Sequence, residues 1–255
     1  MEVPHFIFWE GLKAISLICL ALLGAKIIVL MKFPGQSKRA ETVIKVALVL
    51  VLLATAGWGA RTLGYDTAAE MYYLTAFRNL QRGEIRLGYS NSLRAVNLRP
   101  GELLYWQLLE RTKIEGHQFA SALDDESALR ALSGGQLDPS DAVRFATCRY
   151  FLGRYDQVVS MMHQMIQENR LYPVPYVLQG MSYIALKQYP EAEDTLLSML
   201  GLFPTDVNGV AELAHAYYLA GDTPRAVAVL DATHHYSFPE QARERFAALK
   251  ALYAQ

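Results

Sequence analysis

Cysteine is scarce in this sequence, with two among 255 residues, so a disulfide scaffold is excluded. Charged residues make up only 19%, and 24 Lys and Arg against 25 Asp and Glu leave a formal net charge of −1. The basic excess typical of nucleic-acid-binding domains is therefore missing. Apolar residues reach 52%, a composition that excludes an intrinsically disordered chain.

Motifs of catalytic and cofactor sites are missing as well. The six histidines form no HExxH pattern, and no GxxxxGK[ST], GxGxxG or GxSxG motif occurs. The tract MMHQM at 161–165 holds soft metal ligands, but Met162 and Met165 fall where helices are expected to pack. His234 and His235 are expected in a surface turn. We therefore expect no enzyme activity, no cofactor and no metal ion.

The charges that are present divide unevenly along the chain. Residues 1–62 hold seven Lys or Arg and three Asp or Glu, whereas residues 63–255 hold 17 and 22. Such asymmetry indicates two regions that lie in different surroundings.

Two long apolar runs dominate the first region. AISLICLALLGAKIIVLM ends at Met31 and VIKVALVLVLLATAGWGA ends at Ala60, each with one lysine among its residues. As helices they would extend about 27 Å, close to the thickness of the hydrocarbon core of a bilayer. The first residues, MEVPHFIFWE, lack the basic start of a signal peptide. We predict a transmembrane hairpin with spans at about 7–31 and 43–60 and a loop at 32–42, although either run alone also suits a buried helix.

Basic residues cluster around the loop between the two spans. The loop itself contains Lys32, Lys38 and Arg39, and the side chains of Lys26 and Lys45 can reach toward it. Because positive loops normally stay in the cytoplasm, both ends of the hairpin are predicted to lie on the extracytoplasmic side. The opposite orientation stays open, since the outer ends of the spans also carry some positive charge.

A regular period runs through the second region. Tyr183 recurs as Tyr217 and Pro139 recurs as Pro173, with the same spacing in both pairs. The period continues without gaps over 139–240. Its length, about 34 residues, is typical of stacked helical hairpins.

The repeated residues resemble the pattern of the tetratricopeptide repeat (TPR) family. The unit 173–206 supplies that pattern as Tyr176, Gly180, Tyr183, Ala192, Leu196 and Pro204. The resemblance divides region 63–255 into units 69–102, 103–138, 139–172, 173–206 and 207–240 and a capping helix at 241–255. The repeat 103–138 is degenerate, because it is two residues longer than the others.

The resemblance implies an all-α fold, in which the membrane hairpin is followed by a superhelical TPR solenoid with a C-terminal capping helix. Small residues such as Gly180 and Ala192 would let the two helices of a unit approach closely. Gly153 and Gly221 would allow the sharp turn between those helices. The stretch 61–70 leaves little room for a linker between hairpin and repeats.

In TPR proteins the first helix of each unit lines a concave groove. The family's groove positions correspond here to Tyr73, Phe77, Arg111, Tyr150, Phe151, Met181, Ile184, His215 and Tyr218. These side chains are mostly apolar or aromatic, and few Lys, Arg and Asn are present to hold an acidic tail. We therefore expect a helical or apolar segment of a protein partner in the groove. The alternative is that the chain's own capping helix or hairpin covers some of these positions.

Together these features predict a membrane-anchored scaffold in a bacterial inner membrane, with the repeats on the extracytoplasmic side. Its partners would be the lipid bilayer and other proteins, including integral membrane subunits, and not nucleic acid. Two uses stay open: an accessory subunit of a larger membrane complex, or an assembly factor that holds a client transiently. The second is similar in layout to TPR proteins of cytochrome c maturation, although those have a much longer cytoplasmic loop.

Overall fold

The computed structural model describes residues 3–32, 37–233 and 236–253. These residues form thirteen α-helices joined by turns, without a β-strand among them, so the predicted all-α fold is confirmed for the described chain. The chain divides into two compact units, Met1–Gly116 and His117–Gln255.

The first unit contains two long helices followed by two of ordinary length. Their bounds are α1 Val3–Leu30, α2 Lys38–Gln81, α3 Ile85–Leu98 and α4 Leu103–Glu115. Helices α1 and α2 run antiparallel: Gly24 lies against Leu52, whereas Leu17, earlier in α1, lies against Gly59, later in α2.

The apolar character of these two long helices differs in extent. Among the described residues, α2 is the one helix that is long and apolar enough to cross a membrane, judged by length and composition. The apolar part of α1 is the shorter stretch Ile15–Leu30. The predicted spans therefore correspond to one full-length candidate and one shorter apolar stretch.

Helix α2 continues without interruption through the stretch 61–70, so the hairpin and the repeats are joined without any linker. Its 44 residues correspond to about 66 Å of helix. No proline occurs in this stretch, and an isolated residue such as Gly64 lowers helix stability without ending the helix. The second apolar run and the first helix of unit 69–102 are thus parts of one element.

The second unit consists of nine helices within its described residues. Their bounds are α5 Phe119–Leu123, α6 Glu126–Leu132, α7 Pro139–Phe151, α8 Tyr155–Glu168, α9 Pro173–Ala185, α10 Tyr189–Leu202, α11 Val207–Leu219, α12 Thr223–Ala232 and α13 Glu240–Tyr253. Helices α7, α9 and α11 each begin one sequence period after the last. Asp138 and Asp206 cap α7 and α11 by accepting hydrogen bonds from Ser140 N and Gly209 N, both at 2.8 Å.

A residue with a left-handed backbone recurs in the turns between paired helices. These residues are Gly83 (φ 73°), His117 (φ 57°), Gly153 (φ 73°), Lys187 (φ 61°) and Gly221 (φ 84°). Glycine adopts this conformation without steric cost, whereas histidine and lysine are strained in it. Successive positions follow the sequence period except between His117 and Gly153, where the interval is longer. The two extra residues of segment 103–138 therefore lie in this interval, where two short helices, α5 and α6, replace one longer helix.

The close helix contact expected at Gly180 is present. A Cβ atom added to Gly180 of α9 would lie 2.8 Å from both Cγ and Cδ2 of Leu196 in α10. Leu196 and Ala192 are fully buried, so neither side chain has free space into which it could move. The absence of a side chain at residue 180 thus sets the distance between α9 and α10.

The C-terminal helix α13 covers the last helix pair. Its residues Ala242, Phe246 and Tyr253 are buried and belong to the same hydrophobic cluster as Leu213 and Leu230. The apolar edge that a repeat leaves exposed is therefore covered by the chain itself, as in capped repeat proteins.

We expect Gly180→Ala to lower the free energy of unfolding by about 1–3 kcal/mol, because the added methyl group overlaps the fixed side chain of Leu196. Gly201→Ala is the matched control, since nothing lies within 4 Å of a Cβ at that helical glycine. The control should change stability by about 1 kcal/mol or less, in the stabilising direction. Chemical denaturation of the full chain in detergent measures both values, and equal stability of the two variants would contradict the packing account.

Candidate partner-binding groove

The first helices of three successive pairs in the second unit border an open cavity of about 240 Å³. Its lining is mainly apolar and comprises Thr147, Tyr150, Phe151, Val174, Val177, Leu178, Met181, Asp206 and Asn208. Helices α7 and α9 contribute most of these side chains, and the start of α11 contributes Asn208. Volume and lining together suit a few apolar side chains of a bound segment rather than a whole small ligand.

The structure brings some of the sequence-predicted groove residues together and separates others. Tyr150, Phe151 and Met181 line the same cavity. Ile184 does not, because it is buried in a separate cluster with Ala192 and Ala216. Position 184 therefore contributes to packing between helices.

Phe151 is the most prominent aromatic side chain at this cavity. It is 59% exposed, and its ring stacks on that of Phe119 with centroids 4.6 Å apart. Tyr150 contacts it edge to face at 5.7 Å and also contacts Tyr155 at 5.3 Å. Neighbouring rings thus hold Phe151 in place while one part of it stays open to a partner.

The far end of the candidate groove contacts the C-terminal helix. Tyr218 of α11 stacks on Tyr253 of α13 with ring centroids 4.4 Å apart. Arg245 Nη1 of α13 donates a hydrogen bond of 3.0 Å to Asn208 Oδ1. The capping helix therefore contacts this end of the groove, including Asn208 at the edge of the cavity, as the alternative interpretation of the sequence anticipated. The side of the cavity formed by Phe151 stays open.

The three candidate residues of the first unit lie in a more polar setting. Tyr73 packs against Tyr105 with centroids 5.1 Å apart, and Phe77 is 38% exposed. Arg111 Nε lies 4.0 Å from the carboxylate of Glu115. Burial, followed by the hydrogen bond that Tyr105 donates to Glu70, raises the pKa of Tyr105 well above its ordinary value.

Glu212 does not line the cavity, and the sequence interpretation did not single it out. It lies one helical turn beyond Asn208 on α11, and its Oε2 is 3.7 Å from Nδ1 of His215. Burial raises the pKa of Tyr150, and the negative charge of Glu212 contributes to the same shift. The i, i+4 spacing from Asn208 was the available signal, but the family's groove positions do not include this residue.

Metal-ligating groups do not converge in the described chain. Within residues 3–32, 37–233 and 236–253, no group of three or more His, Cys, Asp or Glu side chains could hold a metal ion. Met162 of the MMHQM tract is fully buried in the cluster that includes Val158. His234 and His235 lie outside the described residues.

Comparison with known proteins identifies the fold. No family model matches this sequence, and no curated protein matches it. A crystal structure of the MamA protein has a TM-score of 0.55 at 12% identity, covering 68% of this chain and 97% of that one. MamA residues 41 to the end from Desulfovibrio magneticus RS-1 give 0.58 at 12% identity, covering 66% and 94%. TTC0263, a thermophilic TPR protein of Thermus thermophilus, gives 0.53 at 20% identity, covering 71% and 98%.

Proposed function

We propose that this chain, whose described helices have the fold of TPR proteins, is a membrane-anchored scaffold that binds another protein. The observation that carries this proposal is the open apolar cavity beside Tyr150, Phe151 and Met181, formed by the first helices of successive pairs. Such a surface binds a helix or an extended apolar segment by burying its side chains. The proposed role is binding, without catalysis.

Membrane anchoring is supported by the surface of the α1–α2 hairpin. Leu20, Leu30, Leu50 and Val51 are largely exposed, and Trp58 is 73% exposed. Exposed apolar side chains in such continuous runs are costly in water and mark a surface for lipid or for membrane protein. Antiparallel packing of α1 against α2 gives the hairpin a small buried seam that includes Ala21 and Ala56.

We further propose that the basic loop lies in the cytoplasm and the repeats on the extracytoplasmic side of a bacterial inner membrane. Lys45 Nζ lies 2.7 Å from Glu41 at the start of α2, so the lysine points back toward the loop. This direction supports snorkelling of Lys45 toward the basic end of the hairpin. Loop charge then supports the orientation through the positive-inside rule.

The proposed biological use is that of an accessory subunit in a larger membrane complex. Such a subunit would place its hairpin against integral membrane subunits and its groove on a helical or apolar segment of a partner. An assembly factor that holds a client transiently is the second candidate, because an open groove equally suits a ligand that leaves. A stoichiometric partner in mild detergent favours the subunit, and loss of that partner from the mature complex favours the assembly factor.

Orientation is measured by cysteine labelling in the full chain after Cys19→Ala and Cys148→Ala. Ser198→Cys, exposed on α10, should react with a membrane-impermeant maleimide in spheroplasts. Ser37→Cys, at the loop end of α2, should react only after the membrane is opened. Labelling of Ser37→Cys alone would show the opposite orientation, and recovery of the protein free of the membrane would contradict anchoring.

Partner binding is tested with the double variant Tyr150→Ala, Phe151→Ala in tagged full-length protein. We expect the yield of co-purified partner to fall at least about tenfold, because two apolar anchors of the cavity are removed. Helicity, checked by circular dichroism, should be preserved, since Phe151 is largely exposed and Tyr150 packs only at the edge of its hydrophobic cluster. The control Leu197→Ala, Leu202→Ala removes two side chains of α10 that are each 47% exposed. Unchanged co-purification by the groove variant, or equal loss in both variants, would contradict groove binding.

A further inference from the structure

Helix α11 of the second unit carries a carboxylate close to the apolar cavity. Asn208 borders the cavity, and Glu212 follows it by four residues on α11, so their side chains lie on one helix face. The two positions are separated by about 6 Å along the helix axis. An apolar pocket and a negative charge are therefore adjacent on the same surface.

Among the described residues, the Glu212 carboxylate has no lysine or arginine nitrogen within ion-pair distance. The Glu212 side chain is 18% exposed. Within 4 Å, the one basic nitrogen that its carboxylate meets among the described residues is Nδ1 of His215, at 3.7 Å, and an imidazole is charged only when protonated. Arg245 is engaged with Asn208 Oδ1 at 3.0 Å.

Aromatic side chains lie close enough to Glu212 to respond to its charge. Burial is the largest cause of the raised pKa of both Tyr150 and Tyr253, and the charge of Glu212 adds to each shift. Tyr253 stacks on Tyr218 at 4.4 Å. Tyr253 is buried and Tyr150 half-buried, whereas Tyr218 is the exposed ring of the stacked pair. A carboxylate near such rings is a setting that favours a cation, through ion pairing and through contact with the exposed ring face.

We propose that the groove selects a segment carrying a lysine or arginine, with its cation on Glu212 and its apolar side chains in the cavity at Phe151 and Met181. This inference rests on the proposed function, in which the groove binds a protein segment. It specifies the ligand further: the basic residue lies about one helical turn beyond the side chain that reaches the Asn208 edge of the cavity.

Charge complementarity argues for this occupant over an acidic one. The cavity itself is bordered by Asp206, and Glu212 lies one turn beyond its edge, so an approaching carboxylate would meet negative charge on α11. Arg245 of α13 keeps its positive charge, because the Asn208 oxygen to which it donates is neutral, so two carboxylates stand against one guanidinium here. A basic, apolar segment therefore fits both the lining and the sign of the field.

The test uses the full chain in phosphatidylcholine nanodiscs and three fluorescent peptides. The peptides are identical short amphipathic helices with one stripe of leucines, and they differ only in a central Lys, Gln or Glu one turn from that stripe. Fluorescence anisotropy against empty nanodiscs gives the affinity. We expect the Lys peptide to bind about tenfold more tightly than the Gln peptide, and the Glu peptide to bind most weakly.

Variants at residue 212 determine whether this carboxylate causes the preference. Glu212→Gln should bind the Lys and Gln peptides equally, and Glu212→Lys should prefer the Glu peptide. Glu191→Gln is the control, because Glu191 is an exposed carboxylate in the first turn of α10 and should leave the preference for the Lys peptide intact. Circular dichroism melting checks that each variant is folded.

Three results would overturn the inference, and each is distinguishable from failure of groove binding itself. If the wild type shows no cation preference, or if the preference survives in Glu212→Gln, charge selection by Glu212 is wrong. Equal binding of all three peptides, lost in Tyr150→Ala, Phe151→Ala, would leave groove binding standing without charge selection. Absence of binding by every peptide would also overturn the inference, while groove binding would be decided by the co-purification experiment.

Discussion

The repeat fold depends on a close contact between two helices across a short turn. At α9 and α10 this contact is made by Gly180, where even one methyl group would overlap the buried side chain of Leu196. The turn itself needs a left-handed backbone, which glycine supplies at residue 153 and lysine adopts at residue 187. Because the paired helices are joined by such turns, successive first helices lie side by side and their side chains line one cavity.

Helix α2 joins the apolar hairpin to the repeat region without a break. A single helix contains both the apolar run that ends at Ala60 and the first helix of the repeat region, which ends at Gln81. Near its middle, Arg61 donates two hydrogen bonds to Tyr65, and Thr67 donates one to the carbonyl of Leu63. Both contacts follow the helical spacing of about four residues. In the proposed anchored state, the repeat region would therefore begin as a direct extension of the membrane span.

Much of this architecture follows from sequence periodicity, because repeated packing needs the same residue types at the same spacing. The starts of α7, α9 and α11 lie one repeat period apart, and the family resemblance predicted a capping helix over 241–255, where α13 lies. Three-dimensional context decided the rest. Ile184 occupies a family groove position, yet it packs inward against Ala216, and a pattern of positions carries no information about local helix rotation. Glu212 was missed because its role depends on aromatic rings of other helices, and a pattern along one helix does not show those neighbours.

The central claim is that the cavity beside Phe151 binds a protein segment while the chain is anchored in its membrane. Photocrosslinking in native membranes tests this most directly, with benzoylphenylalanine replacing Met181 in the cavity or, as a control, exposed Leu197 on α10. The account predicts one discrete covalent adduct from position 181, recovered in the membrane fraction and absent for position 197. No adduct at position 181, or the same adducts from both positions, would contradict it.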